Sequence, residues 1–240
     1  MRKDHRPFFI KYCSSRFNDW YVRRFVQPQF DRLGVHPMII KPRSCEIHGR
    51  QIFAGNYLHL ISHPIKPVRL TTWSSRQGQG TIEIGDYCLI APGVEITAAK
   101  SIRIGANSMI ATECSINDCD WHGLYNRTRP FRCTKPVTLG ENVWLGARVI
   151  VCKGVTIGDN SVIGAGSVVT SDIPPNVVAA GNPARVVKEL NPRRRMLKRD
   201  FLFRKGNFYW QNQTQLDKYL TAGNSLWKWL RVLTKPTRED

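Results

Sequence analysis

Apolar residues recur at every sixth position through the middle of the chain. From Leu139 the sequence divides into LGENVW, LGARVI, VCKGVT, IGDNSV, IGAGSV and VTSDIP, opening on Leu139, Leu145, Val151, Ile157, Ile163 and Val169. Position two is mostly glycine (Gly140, Gly146, Gly158, Gly164), and position five is mostly small or β-branched (Val143, Val149, Val155, Ser161, Ser167). The same frame runs upstream as IGDYCL, IAPGVE, ITAAKS, IGANSM and IATECS, with two extra residues between Ile96 and Ile104. A fainter version starts at Ala54 and Leu60. A period of six is neither the 3.6 of a helix nor the 2 of a continuous strand. It predicts short strands joined by tight corners, with glycine supplying backbone freedom. Three such units close one coil, and coils stack at strand spacing of about 4.8 Å around an aliphatic interior.

The repeat breaks between Ile116 and Leu139, a gap of 23 residues where three hexads need 18, which leaves five extra. Insertions in a repeat array become loops on one face, so this polar, aromatic segment, NDCDWHGLYNRTRPFRCTKP, predicts an ordered surface loop. It holds Asp118, Asp120 and His122, and His122 is the one histidine after residue 63.

The run from Gly140 to Leu190, GENVWLGARVIVCKGVTIGDNSVIGAGSVVTSDIPPNVVAAGNPARVVKEL, resembles the last coils of the maltose and galactoside O-acetyltransferases, within the hexapeptide-repeat acyltransferases. The likeness spans roughly residues 80–190 and leaves both ends outside it. It implies an all-β fold, a left-handed parallel β-helix, and a homotrimer with coenzyme A lying between neighbours. The implied reaction moves an acetyl group from acetyl-CoA to a carbohydrate hydroxyl. In that family the catalytic histidine sits in the loop that interrupts the coils, which is where His122 stands. A histidine is poised for proton removal at neutral pH, and a carboxylate on its other nitrogen would fix the tautomer. Asp120 is the first choice for that carboxylate, with Asp118 or a backbone carbonyl as competitors. The resemblance further assigns the Ala147 amide to the thioester carbonyl, where it would steady the oxyanion. Ala147 and Ala165 would lie along the pantetheine arm, and Thr170, Ser171, Arg185 and Lys188 at the nucleotide end. Ser171 stands where the group has lysine, so one cation is missing there. Asn117, Asp118, Tyr125 and Trp144 are the acceptor-side candidates, Trp144 as a stacking wall for a sugar. The spacing of His122, Thr128, Pro130 and Phe131 is also similar to xenobiotic acetyltransferases of the same superfamily. Transfer to an amino sugar, or a non-catalytic trimeric scaffold, are the other readings.

Hexapeptide repeats also serve metal-dependent carbonic anhydrases, which need about three converging histidines. His59 and His63 could chelate only on a helix, and Pro64 and Pro67 argue against one, so no metal is expected. Seven scattered cysteines suggest free thiols in a reducing cytoplasm. Cys88, Cys114 and Cys152 read as packing, and Cys119 and Cys133 as loop thiols that could react.

The net charge is +18, and it is uneven. Residues 1–50 carry 11 Lys/Arg against 4 Asp/Glu, residues 51–190 carry 13 against 10, and residues 191–240 carry 12 against 4. This suggests three parts: an N-terminal helical cap (1–50), the coil domain (51–190) and a basic helical extension (191–240). The cap, with Phe17, Trp20, Tyr21, Phe25 and Phe30, is expected to cover the first coil. The extension could pack on the trimer or touch an anionic membrane; nucleic acid is not an expected partner. Neither a leader peptide nor a membrane span is expected, because the longest apolar stretches are short.

Overall fold

The computed structural model describes residues 4–75, 78–128, 130–204 and 208–237. They form two units, one within residues 22–199 and one made of residues 4–21 with those from 200 to 237.

In the larger unit the chain visits three sheets in turn. The first face stacks Arg32–Leu33, Ile52–Ala54, Thr81–Ile84, Ser101–Ile104, Val137–Leu139 and Thr156–Ile157. The second runs from Met38–Ile40 through His59–Ile61, Leu89–Ile90, Met109–Ile110, Trp144–Leu145 and Val162–Ile163 to Val177–Gly181. The third runs from Cys45–His48 through Val68–Thr72, Glu95–Ala98, Ser115–Asn117 and Ile150–Val151 to Val168–Val169. Neighbours within each stack are parallel, except that the second face ends on an antiparallel strand, Ala184–Glu189. The hexad explains the register: Leu139 lies between Ile104 and Ile157, Leu145 between Ile110 and Ile163, and Val151 between Ile116 and Val169. All nine are at most 1% exposed, so the first residue of each of these hexads is an interior aliphatic.

The glycines at position two do something other than the expected loosening of the backbone. A Cβ on Gly158 would lie 2.4 Å from the Pro175 nitrogen, and one on Gly146 would lie 2.6 Å from the Ala165 nitrogen. Glycine is there because the next coil stacks directly above it. Left-handed backbone falls instead at position four, at Tyr87, Asn107, Asn142, Arg148 and Asn160, and at the glycines 154 and 166. Position five is small for a related reason. Three of its polar side chains donate to a carbonyl of the next coil, Ser108 to Gly140 (3.2 Å), Cys114 to Gly146 (3.0 Å) and Ser161 to Pro174 (2.8 Å), while Ser167 donates to Gly164 of its own coil (2.7 Å).

Both expected boundaries move. Residues 32–48 already place one strand on each face, so a coil precedes residue 51 and the faint frame at Ala54 belongs to the second turn. Left-handed His36 and Lys41 turn its corners without a glycine signature, which hid it. At the other end the unit extends to Arg199, not 190. There the Arg199 Nε donates to the Tyr87 carbonyl (2.8 Å) and Lys198 pairs with Glu141 (3.3 Å), so the basic run lies along the coils.

The smaller unit joins the two chain ends. Helix α1 (Phe8–Tyr21), helix α2 (Phe208–Thr221) and helix α3 (Leu226–Thr234) make it up. Lys11 of α1 pairs with Asp217 of α2 at 2.6 Å, and the Asn224 amide donates to the carbonyls of Asp4 (2.7 Å) and Arg6 (3.0 Å). Ser225 caps α3 by accepting the Lys228 N–H at 3.2 Å.

Candidate functional site

Ile116 pairs with Val151 on the third face, and Leu139 pairs with Ile104 on the first. The 23-residue step from Ile116 to Leu139 therefore makes one corner, where the step from Val151 to Ile157 is only six. The insertion is much longer than the five residues expected. It folds as a hairpin, Cys119–His122 against Pro130–Thr134, with His122 opposite Pro130 and an irregularity between Asp120 and His122. His122 is exposed on this hairpin. The same corner two coils earlier carries a second, smaller hairpin, Ser74–Ser75 against Gly78–Gln79. Trp73 at its base meets Trp121 edge-on, with ring centroids 5.6 Å apart and planes at 76°. The two insertions thus touch beside the histidine through an aromatic pair that the sequence reasoning missed. A usable signal was present: a tryptophan next to SSRQGQG, in the gap of the hexad frame between Leu70 and Ile82.

Neither carboxylate engages the His122 ring. Asp118 is fully buried and accepts the backbone N–H groups of Ala99 (2.7 Å), Lys100 (2.7 Å) and Ser101 (2.6 Å). It braces the turn below the insertion, and its burial removes it from the acceptor-side candidates. Asp120 pairs with Lys153 Nζ at 2.5 Å, an interaction that also holds the Lys153 pKa above its ordinary value. Asn117 is likewise occupied locally, accepting the Cys119 N–H at 3.0 Å. Tyr125 is wholly exposed on the loop, where Asn126 accepts from the Thr128 hydroxyl at 2.6 Å. Of the Thr128–Pro130–Phe131 motif, the last two lie on the returning strand.

The remaining candidates occupy other edges. Ala147 and Ala165 are exposed at one corner, between the second and third faces, where the Gly166 N–H donates to the Ala147 carbonyl at 2.8 Å. Thr170 and Ser171 follow the last strand of the third face, and Arg185 and Lys188 are exposed on the antiparallel strand ending the second. Trp144 is exposed on the second face between Met109 and Val162. Within one chain the structure joins Ala147 to Ala165. It leaves His122 on a different corner, with the third face in between.

The loop cysteines separate. Burial, reinforced by the charges of Asp118 and Asp120, pushes the Cys119 thiol up to about 11, which disfavours the nucleophilic thiolate. Cys133 is half-buried. His59 sits in a strand, so no helical pairing with His63 forms; burial, helped by the Arg199 charge, lowers its pKa to about 4.

Residues 136–171 match the bacterial transferase hexapeptide (six repeats) family. The chain is 44% identical over 115 residues to galactoside O-acetyltransferase of Escherichia coli K12, covering 47% of this chain and 46% of that one. It is 33% identical over 125 residues to the putative lipopolysaccharide biosynthesis O-acetyl transferase WbbJ of the same organism, covering 48% and 63%. The match therefore spans about half to under two thirds of these relatives. Among solved structures, the N-acyltransferase AntD of Bacillus cereus, in complex with dTDP and 3-hydroxybutyryl-CoA, shares the fold at a TM-score of 0.51 and 19% identity, over 80% of this chain and 96% of that one. With its hexads in register on three parallel faces, the chain carries the hexapeptide repeat of that bacterial transferase family at residues 136–171.

Proposed function

We propose that the protein is an acetyltransferase that moves the acetyl group of acetyl-CoA to a hydroxyl of a carbohydrate, with His122 as general base. The observation that carries this is the placement of an exposed histidine on a hairpin inserted into coils that are similar to those of a galactoside O-acetyltransferase. The imidazole takes the hydroxyl proton as the oxygen attacks the thioester carbonyl. The Ala147 amide steadies the resulting oxyanion, and its collapse expels the thiolate, which takes the proton back from the imidazolium. With Asp120 held by Lys153, ring orientation falls to a backbone carbonyl or to a rearrangement of that ion pair on binding.

The separation of His122 from Ala147 and Ala165 supports a homotrimer. The base on one chain would meet the donor-binding corner of its neighbour, with Thr170, Ser171, Arg185 and Lys188 toward the nucleotide. The left-handed winding of the coils and a cytoplasmic setting, where acetyl-CoA is found, belong to the same reading. Trp73, Trp121 and Tyr125 offer aromatic faces for a sugar ring on the acceptor side, and Trp144, exposed on the second face, is a further candidate wall. The WbbJ likeness favours a surface polysaccharide or a lipid-linked glycan precursor as acceptor.

Thioester consumption should be measured with purified protein against panels of hydroxyl and amino sugars. Turnover with hydroxyl acceptors is expected, and His122→Ala should lower kcat/KM by about 10²–10⁴-fold with the fold unchanged by circular dichroism. Full turnover in that variant would overturn the assignment, and transfer to amines alone would replace the O-acetyl reading with an N-acetyl one.

A further inference from the structure

Helix α3 is not absorbed by this chemistry, and its three sides differ sharply. Val232 is 1% exposed and Trp229 is half-buried; these two, three residues apart, face the protein. Leu226, Leu230 and Leu233, spaced by four and three, form a second side and are 41%, 40% and 51% exposed. Trp227 adjoins them at 81% exposure. Lys228, Arg231 and Lys235 form the third side, next to Trp227, and residues 226–237 contain no Asp or Glu. Leucine and tryptophan so exposed on a capped helix are costly in water, and the adjoining charge has a single sign.

We propose that α3 is a docking helix for an anionic lipid bilayer, lying in the headgroup region with Leu226, Trp227, Leu230 and Leu233 inserted. Tryptophan suits that depth, and Lys228 and Lys235 would meet lipid phosphates at its edge. No helix among the described residues is long and apolar enough to cross a membrane, so the contact is one of lying on the surface. The stripe spans little more than two turns. Insertion alone is therefore too weak, and binding should require the anionic charge as well. This is independent of the acetyl-transfer reading: it concerns where the protein sits, and it stands whether or not His122 is catalytic.

The test is cosedimentation of the full chain with phosphatidylcholine vesicles, with and without roughly one third phosphatidylglycerol. Binding to the anionic vesicles alone is expected, with a blue shift in tryptophan emission and release by high salt. The triple variant Trp227→Ser/Leu230→Ser/Leu233→Ser should bind at least about tenfold more weakly. Lys228→Gln/Lys235→Gln, which leaves every apolar contact in place, should also weaken binding. Absence of sedimentation overturns the proposal. So does equal binding to neutral vesicles, or a triple variant whose oligomeric state changes, which would show a second copy on this face.

Discussion

Two corners of the coil are built from the same hexad and used in opposite ways. Where the first face passes to the second, the step is always six: Leu33 to Ile39, Ala54 to Leu60, Ile84 to Ile90, Ile104 to Ile110, Leu139 to Leu145, Ile157 to Ile163. Its fourth residues, His36, Tyr57, Tyr87, Asn107, Asn142 and Asn160, all take left-handed backbone. They stack upon one another. Tyr57 and Tyr87 rings lie 5.2 Å apart, the Asn142 amide donates to the Asn160 side-chain oxygen at 3.0 Å, and the Asn160 amide donates to that of Asn176 at 3.1 Å. Where the third face returns to the first, the step from Ile116 to Leu139 grows to 23 residues, and a hairpin is also inserted after Trp73. The regular corner repeats one solution and so stabilises. The irregular one escapes the repeat and can carry side chains that no hexad would place.

This contrast can be broken most severely at Asp118, which anchors the irregular corner. Asp118→Ala would leave three N–H groups without their acceptor, that of Ala99 buried and the other two part-buried, and should cost on the order of 3 kcal/mol in chemical denaturation. Acetyl transfer should fall with it, because the turn beneath the His122 hairpin loosens. At the regular corner a smaller loss is expected. Asn160→Ala forces a Cβ-bearing residue without local hydrogen bonding into φ 62° and cuts the amide ladder, for about 1–2 kcal/mol. Asn160→Gly should recover part of that loss, and neither change should move kcat. Trp73→Ala should have the smallest effect: a few-fold rise in acceptor KM, with stability and the KM for acetyl-CoA nearly unchanged. If Asn160→Ala abolished turnover while Asp118→Ala left it intact, the division of labour would be reversed.

The interior was readable from the sequence because the first residue of every hexad must fill it, and an aliphatic does so each time. The corners were less readable. Glycine at position two was visible, but its cause is the chain stacked above, which no local pattern reports. The long gap was under-measured because coil counting assumed full turns, whereas Ile116 and Leu139 stand on adjacent faces. That His122 stands on the inserted segment was legible from its position in the break. The partners of Asp118 and Asp120 were not, since Ala99 and Lys153 come from other coils.

A stack of parallel strands offers an unpaired edge at each end, and such an edge can recruit a copy of itself without limit. The reversal at Gly181–Ala184 turns the chain back on the second face, so the outermost strand runs against all those before it. That strand carries Arg185, Lys188 and Glu189, all exposed. An incoming coil would meet the wrong polarity and a row of charge, so this end of the second face resists the end-to-end polymerisation toward which a repetitive architecture tends.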